Sequence, residues 1–390
     1  MPVINRIAEY TPEMTGWRRD LHQHPELGFQ EQRTSDFVAA KLAEWGIEVH
    51  RGIAGTGLVG VLKGQPGSRS IGLRADMDAL AMTEANDFGH ASKNPGRMHA
   101  CGHDGHTATL LGAAKYLAET RNFAGTVNFI FQPAEEVGGG GRVMVEEGLF
   151  DRFPCDSVYG IHNAPDLPLG QAAVVDGTLL AASDRLYITI KGYGGHAAKP
   201  HMAIDPILVG AHVMVALQSI VSRRTDPVDS AVISICQFHG GSADNVIPAE
   251  VELRGTVRTL LPGTRDLMEK LIAQVTEATC LAHGATAEVR YVRMYPPCIN
   301  HKAETERAAL AAAKVLGEHG VKRDVPPIMG GEDFSFMLLA RPGCFVMMGQ
   351  AGPDKGAVPV HHPLYDFNDD MLPVGASYFA SLVEQELARG

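Results

Sequence analysis

Three histidines, one cysteine and one aspartate crowd into nine consecutive positions, Met98-His99-Ala100-Cys101-Gly102-His103-Asp104-Gly105-His106. Thiolate and imidazole are the donors that divalent transition ions prefer. Cys101 and His103, two positions apart, share a face in an extended backbone and can meet one ion. Gly102 and Gly105 remove side-chain bulk where a chain turning tightly between donors needs it. A lone histidine is ordinarily a surface or core residue, and a cysteine beside a histidine is also the arrangement of an activated nucleophile. The nucleophile needs one Cys-His pair, whereas a metal centre needs further donors elsewhere.

Those donors recur at the ends of apolar runs. Residues 58–62 and 70–76 are short runs bounded by glycine and proline that read as core strands, the second ending in Asp76-Met77-Asp78. Residues 126–132 form a strand running into Pro133-Ala134-Glu135-Glu136 and a glycine run, and residues 155–163 form another that carries His162. Ligands of open α/β sheets gather at the carboxyl ends of strands. One of the two aspartates is expected to cap the following turn. Adjacent carboxylates at a strand end are costly to hold together without a cation. If one binds metal, its neighbour faces another way and is free to carry protons. The pair His361-His362 brings a late donor from the far end of the chain. His22 and His24, at a helix end beside Arg19 and Pro25, read instead as structural.

The elements that position these residues alternate strand and helix. Thr107, Leu110, Leu111, Ala114 and Leu117 recur at helical spacing directly behind the cluster, which therefore sits at a loop-to-helix junction. Residues 183–295 follow the order β-α-β-β-α-β, the split ferredoxin-like pattern, and read as an inserted α+β domain. Residues 1–182 and 296–390 are then two segments of one catalytic α/β domain with a mixed sheet between helices. A chain of 390 residues is too long for one ordinary core. Within the insert, Gly194-Gly195-His196-Ala197-Ala198 and Asn245-Val246-Ile247-Pro248 are turns by composition. Near a metal centre, their His and Asn side chains would be oxyanion donors.

Composition narrows the function classes. A net charge of −11 argues against nucleic acid and anionic membrane as partners and leaves a small-molecule substrate open. No run of eighteen apolar residues occurs, and the sequence opens without a charged-then-apolar export signal. The six cysteines, at 101, 155, 236, 280, 298 and 344, show no paired spacing. A cytoplasmic protein with free thiols is expected.

With these residues assembled, the sequence resembles the M20 metallopeptidase and amidohydrolase family. The subgroup is that of hippurate hydrolases, N-acyl-amino-acid amidohydrolases and plant auxin-conjugate hydrolases. The resemblance is carried by Arg74-Ala75-Asp76-Met77-Asp78-Ala79-Leu80, the 98–106 cluster, Gln132-Pro133-Ala134-Glu135-Glu136, the two glycine-flanked loops of the insert, and His361-His362-Pro363. It implies that Cys101, His103, Glu136, His162 and His361 ligate two divalent ions, and a thiolate ligand suits zinc, manganese, nickel or cobalt better than magnesium or calcium. The family's last ligand resembles a His followed by a variable residue and Pro, which implies His361 in place of His362. Glu135 is then the general base and Asp78 the acid that orients a ligand. Asp76 stands where many relatives carry a metal-binding histidine, and Cys101-x-His103 replaces that donor.

The resemblance further implies that His196 holds the oxyanion, reaching in from the partner's insert in dimeric relatives, and that Asn245 and Arg258 grip the substrate carboxylate. The insert serves as a lid and dimerisation domain of a homodimer or tetramer. The implied reaction is hydrolysis of N-acyl-amino acids such as N-benzoylglycine. The two ions lower the pKa of a bridging water, and Glu135 takes its proton and later hands it to the leaving amine. The alternatives in the same fold are a dipeptidase or carboxypeptidase and an N-acetyl-diaminopimelate deacetylase. Outside those enzymes stand a metal-free binding protein, which would lack a ligand or base, and a cysteine hydrolase, which a chelator would leave active.

Overall fold

A computed structural model describes residues 2–389; Met1 and Gly390, the outermost residues of the expected first and last segments, lie outside it. The chain forms two compact units. One comprises the residues up to Leu179, Ile299–Pro326 and those from Asp333 onward; the other comprises Leu180–Cys298 and Pro327–Glu332. The last of these stretches lies outside the 183–295 insert read from the sequence. It joins the second unit because the Ala181 N–H donates to the carbonyls of Ile328 and Gly330 (3.0 and 2.9 Å), a long-range pairing with no local sequence pattern.

The first unit is built on an eight-stranded sheet in the order Glu48–Ile53, Gly57–Lys63, Ala124–Gln132, Gln65–Asp76, Ser157–Pro168, Gly343–Ala351, Ala172–Ala173, Val321–Lys322. Its central strands run parallel to one another. Glu48–Ile53 and Gly57–Lys63 add antiparallel at one edge, so the sheet is mixed. Ile71, Leu73, Val127, Phe129, Phe131, Val346 and Met348 are all fully buried. Such near-continuous apolar runs belong to parallel strands covered by helices. His103–Thr120, Lys302–Leu316 and Leu372–Glu386 supply that cover. His103–Thr120 is buried along most of its length, its small and apolar residues surrounded on every side.

The second unit carries a four-stranded antiparallel sheet in the order Ala231–His239, Glu250–Thr259, Ala182–Lys191, Thr286–Tyr295. Leu186, Ile188 and Ile190 are buried while Arg185 and Lys191 are exposed, the alternation of a sheet with one covered face. Pro206–Arg224 and Pro262–Ala282 provide the covering helices. Pro206–Arg224 opens at Asp205, whose carboxylate accepts from the Ile207 N–H (2.9 Å), with proline in the first helical position. This helix is long and apolar enough by composition to cross a membrane, yet Val209, Val213, Leu217 and Ile220 pack into the core of this unit. All six cysteines are free thiols.

Candidate metal centre

The parallel strands of the first unit deliver the acidic and imidazole groups. Asp76 ends one strand, Gln132 ends its neighbour directly opposite, and His162 lies in the third. The loop after Gln132 carries Glu135 and Glu136. The Cys101–His103 segment is not extended, as same-face spacing assumed. Gly102 adopts a left-handed φ of 96° and caps the helix that His103 opens. The turn brings the two donors together, and only glycine fits it: a Cβ there would lie 2.6 Å from Tyr365 Oη and closer still to Asn163 Oδ1. Gly105 is helical instead of a turn residue, and its missing side chain makes room for the Phe367 ring.

Five donors converge. Cys101 Sγ lies 3.4 Å from His162 Nε2. The His162 Nδ1–H donates to the Asn163 carbonyl (2.8 Å), which leaves the Nε2 lone pair facing the thiol. His103 presents Nδ1 to Asp78 Oδ1 (3.2 Å), while its buried Nε2 has no hydrogen-bond partner among the described residues. That nitrogen lies 3.7 Å from Asp76 Oδ2 and 4.0 Å from Glu136 Oε1. His361 Nε2 is 3.1 Å from the same Glu136 oxygen, and the His361 N–H donates to the Ala100 carbonyl (2.7 Å), pinning the late segment to the cluster. His362 faces elsewhere: its Nδ1 accepts from the Leu364 N–H (3.1 Å). The donor atoms of Cys101, His103 and His162 lie within 4.8 Å of one another, as do those of Cys101, Glu136 and His361. These two triads share the thiol, so the donor set could hold two neighbouring cations. A buried imidazole nitrogen aimed at a carboxylate and a thiol, with its other nitrogen held by Asp78, fits a metal ligand.

The electrostatics point the same way. Burial opposes a charge on His103, yet Asp76, Asp78 and Glu136 raise it to about 10, so the cluster demands a positive charge at its centre. Burial, with His106 alongside, pushes His162 down to about 3 and keeps its imidazole neutral. Burial, reinforced by Glu136, Glu135 and Asp76, pushes the Cys101 thiol well above its ordinary value. A nucleophilic cysteine needs the opposite shift; a cation displacing the thiol proton reconciles the residue with its surroundings.

Around the donors lies a shell of charge-assisted hydrogen bonds. The Asp78 carboxylate accepts from the Glu135 N–H (3.0 Å) and the Glu136 N–H (3.1 Å) besides facing His103. Asp76 is engaged by the Arg74 guanidinium (2.7 Å) and by His106 Nδ1 (2.6 Å), and His106 Nε2 lies 2.7 Å from Asn163 Oδ1. Arg74 also donates to Asp333 (3.0 Å), and the Asp333 N–H donates to Glu135 Oε1 (3.4 Å). Arg74, His106, Asn163 and Asp333 carried no site role in the sequence reading. Their partners are up to hundreds of positions away, beyond any periodic signal. His22 sits under the cluster, its Nδ1 2.8 Å from Asp104 Oδ2, while His24 faces the Asp20 carbonyl (2.8 Å).

The remaining expected site residues belong to the second unit. His196 and Asn245 are exposed neighbours: His196 pairs with Val246 across a two-residue ladder, and the Ala197 N–H donates to the Asn245 carbonyl (3.1 Å). His196 Nδ1 accepts from the Ala198 N–H (3.1 Å), so its Nε2 carries the proton and is a donor. Arg258 is half-buried on the central strand Glu250–Thr259, opposite Ser183, and burial lowers its guanidinium from the ordinary value.

The family model described as Peptidase family M20/M25/M40 matches residues 72–385. The chain belongs to this family. Among M20 relatives, it is 40% identical to the hippurate hydrolase of Campylobacter jejuni over 98% of both chains. It is also 40% identical to the N-acetylcysteine deacetylase of Bacillus subtilis over 94% of this chain and 94% of that protein. Among solved M20 structures, the Bacillus subtilis YXEP protein, described as a dinuclear metal-binding peptidase, superposes with a TM-score of 0.85 at 36% identity, covering 97% of this chain and 99% of that one.

Proposed function

We propose that this protein is a metal-dependent amidohydrolase that cleaves the amide bond of N-acyl-amino acids, releasing a carboxylate and the free amino acid. The observation that carries the reading is the pair Glu135-Glu136. One carboxylate stands among the thiol and imidazole donors, and the other lies beside it with its turn clamped by Asp78. Cys101, His103, Glu136, His162 and His361 would hold two divalent ions, with zinc, manganese, nickel or cobalt suited to the thiolate. Such a pair, when bound, supplies Lewis-acid charge and makes water a nucleophile near neutral pH. Glu135 takes the proton of the attacking water and returns it to the leaving amine. Asp78 keeps the protonated nitrogen of His103 turned away from the donor cluster. His196, with its Nε2–H free to donate, holds the developing oxyanion, and Asn245 and Arg258 grip the substrate carboxylate.

The protein is read as a cytoplasmic homodimer joined through the second unit. The free cysteines support the compartment. The association is supported by exposed Leu208 and Val215 on the Pro206–Arg224 helix and by the unpaired edge of Ala231–His239. Light scattering of the purified protein tests it, and a monomer at micromolar concentration would contradict it.

The activity is tested by release of free amino acid from N-benzoylglycine and from N-acetyl-amino acids, before and after chelation and with each of the four metals restored. Loss to the chelator with recovery on metal addition is expected. Activity that survives chelation would return Cys101 to the role of nucleophile and refute the reading.

A further inference from the structure

We propose that Glu31 is a positioning residue of the Glu135-Glu136 turn: its buried carboxylate holds Ala134 in the left-handed conformation from which the two functional carboxylates take their directions. The proposal rests on the reading of Glu135 as proton carrier and Glu136 as ligand.

Glu31 is fully buried and both of its oxygens are engaged. The Ala134 N–H donates to Oε1 (2.8 Å), and the Thr56 hydroxyl donates to Oε2 (2.6 Å). Asp78 accepts from the next two amides, those of Glu135 and Glu136. Three consecutive backbone N–H groups thus end on two carboxylates from different elements, the protein supplying its own anions to a run of converging amides. Ala134 has φ 52°, a conformation that a residue with a Cβ keeps only where its surroundings over-determine it. Those surroundings are close. A Cβ on Gly28 would sit 3.0 Å from Ala134 Cβ, and the Gly140 N–H donates to the Ala134 carbonyl (3.0 Å).

The anchor is itself rigid, because the Glu31 carbonyl accepts from the Ser35 N–H (2.9 Å) at the start of the helix Gln32–Glu44. Burial, reinforced by nearby Asp78, pushes the Glu31 carboxyl up to about 7. Such a group is a poor choice for stability alone, since an uncharged side chain fills the same space without desolvating a carboxylate. What Glu31 contributes is direction at Ala134.

The test compares Glu31→Ala, Glu31→Gln and Thr56→Val, with Glu135→Gln as control. Two measurements are made: kcat, KM and the pH profile of kcat for N-benzoylglycine hydrolysis by the metal-loaded enzyme, and amide hydrogen exchange across residues 133–140 in the metal-free protein. Glu31→Ala is expected to lower kcat by about tenfold or more with KM little changed, to move the acid limb of the kcat profile, and to speed exchange in 133–140 to a similar extent. Glu31→Gln still offers an oxygen to the Ala134 N–H and is expected to recover most of the loss. Thr56→Val frees one oxygen and is expected to show a smaller loss of the same sign. Wild-type kcat, acid limb and exchange in Glu31→Ala, or in Thr56→Val if the alanine variant does not fold, would overturn the proposal. So would a Glu31→Gln variant as impaired as the alanine one. If Glu135→Gln stays active, the role given to Glu135 fails, while exchange in the metal-free protein still decides whether Glu31 holds the turn.

Discussion

Replacing Asp78 by asparagine keeps the shape of the site and removes one acceptor. Oδ1 of Asp78 faces both the Glu135 N–H (3.0 Å) and His103 Nδ1 (3.2 Å), and Oδ2 faces the Glu136 N–H (3.1 Å). Asparagine offers one oxygen and one NH2, so in either flip a donor meets a donor. With the NH2 toward Glu136, one buried backbone N–H is left unpaired; with the NH2 on the other side, two donors are. The first orientation is the less costly, and one unsatisfied buried donor costs about 1–3 kcal/mol. At about 1.4 kcal/mol per factor of ten, that loss corresponds to roughly 5- to 150-fold if it falls on the positioning of Glu135, Glu136 and His103.

Supporting groups around metal ligands generally contribute about 10- to 100-fold, within the same span. Asp78→Asn is therefore expected to lower kcat/KM for N-benzoylglycine by about 10- to 100-fold at saturating metal and to weaken metal retention on dialysis. Its melting temperature should fall by only a few degrees. The measurements are steady-state kinetics, metal content after dialysis and calorimetry on the same preparation. A variant within about twofold of wild type in both kcat/KM and metal retention would refute the reasoning, because the three contacts would then not be holding the ligands.

Gly102→Ala forces a Cβ into a left-handed position already filled by Asn163 and Tyr365. It should destabilise the protein by more than about 1–2 kcal/mol and abolish metal binding, and a variant that keeps both its melting temperature and its metal would show the turn to be less constrained than described. Cys101→Ser removes the thiolate shared by both donor triads; calorimetric titration is expected to show zinc affinity falling more than manganese affinity, because the hydroxyl is the harder ligand, and equal losses would argue against a shared thiolate. Burial opposes a charge on His22, yet Asp104 and Glu84 hold it up to about 9. A base raised above its unfolded value near 6.5 contributes stability that is complete below that pH and lost as pH rises through 9. The contribution amounts to about 3 kcal/mol. The depressed carboxyl of Asp104 describes the same ion pair and adds nothing further. Urea midpoints between pH 6.5 and 9.5 should fall less steeply for His22→Gln than for wild type, and parallel curves would remove the ion pair from the account.

Much of the centre was legible because its signals are local. Cys101, His103, Glu135 and Glu136 stand beside apolar runs or helical periodicity that mark strand ends and a helix start, and parallel strands deliver their carboxyl ends to one edge of a sheet; His162 lies within its strand, which runs on to Pro168 instead of ending there. The β-α-β-β-α-β order likewise follows from periods of 2 and 3.6. The local run of residues pointed to metal-ligand chemistry in the same way, since thiol, imidazole and carboxylate within a few residues have few other uses. What tertiary structure decided are the relations between distant residues. Gly102 must stay a glycine because it is left-handed and Asn163 and Tyr365 fill the space a Cβ would need. His361 is set beside Glu136 by its N–H bond to Ala100, while the identical side chain of His362 folds back on Leu364. Pro327–Glu332 joins the second unit through bonds to Ala181, and Glu31 reaches Ala134 across 103 positions. Periodicity reports which face of its own element a residue occupies. Which buried donor meets which acceptor is set by the packing of whole elements, and there the cost of leaving a buried polar group unpaired selects among pairings that the linear sequence leaves equivalent.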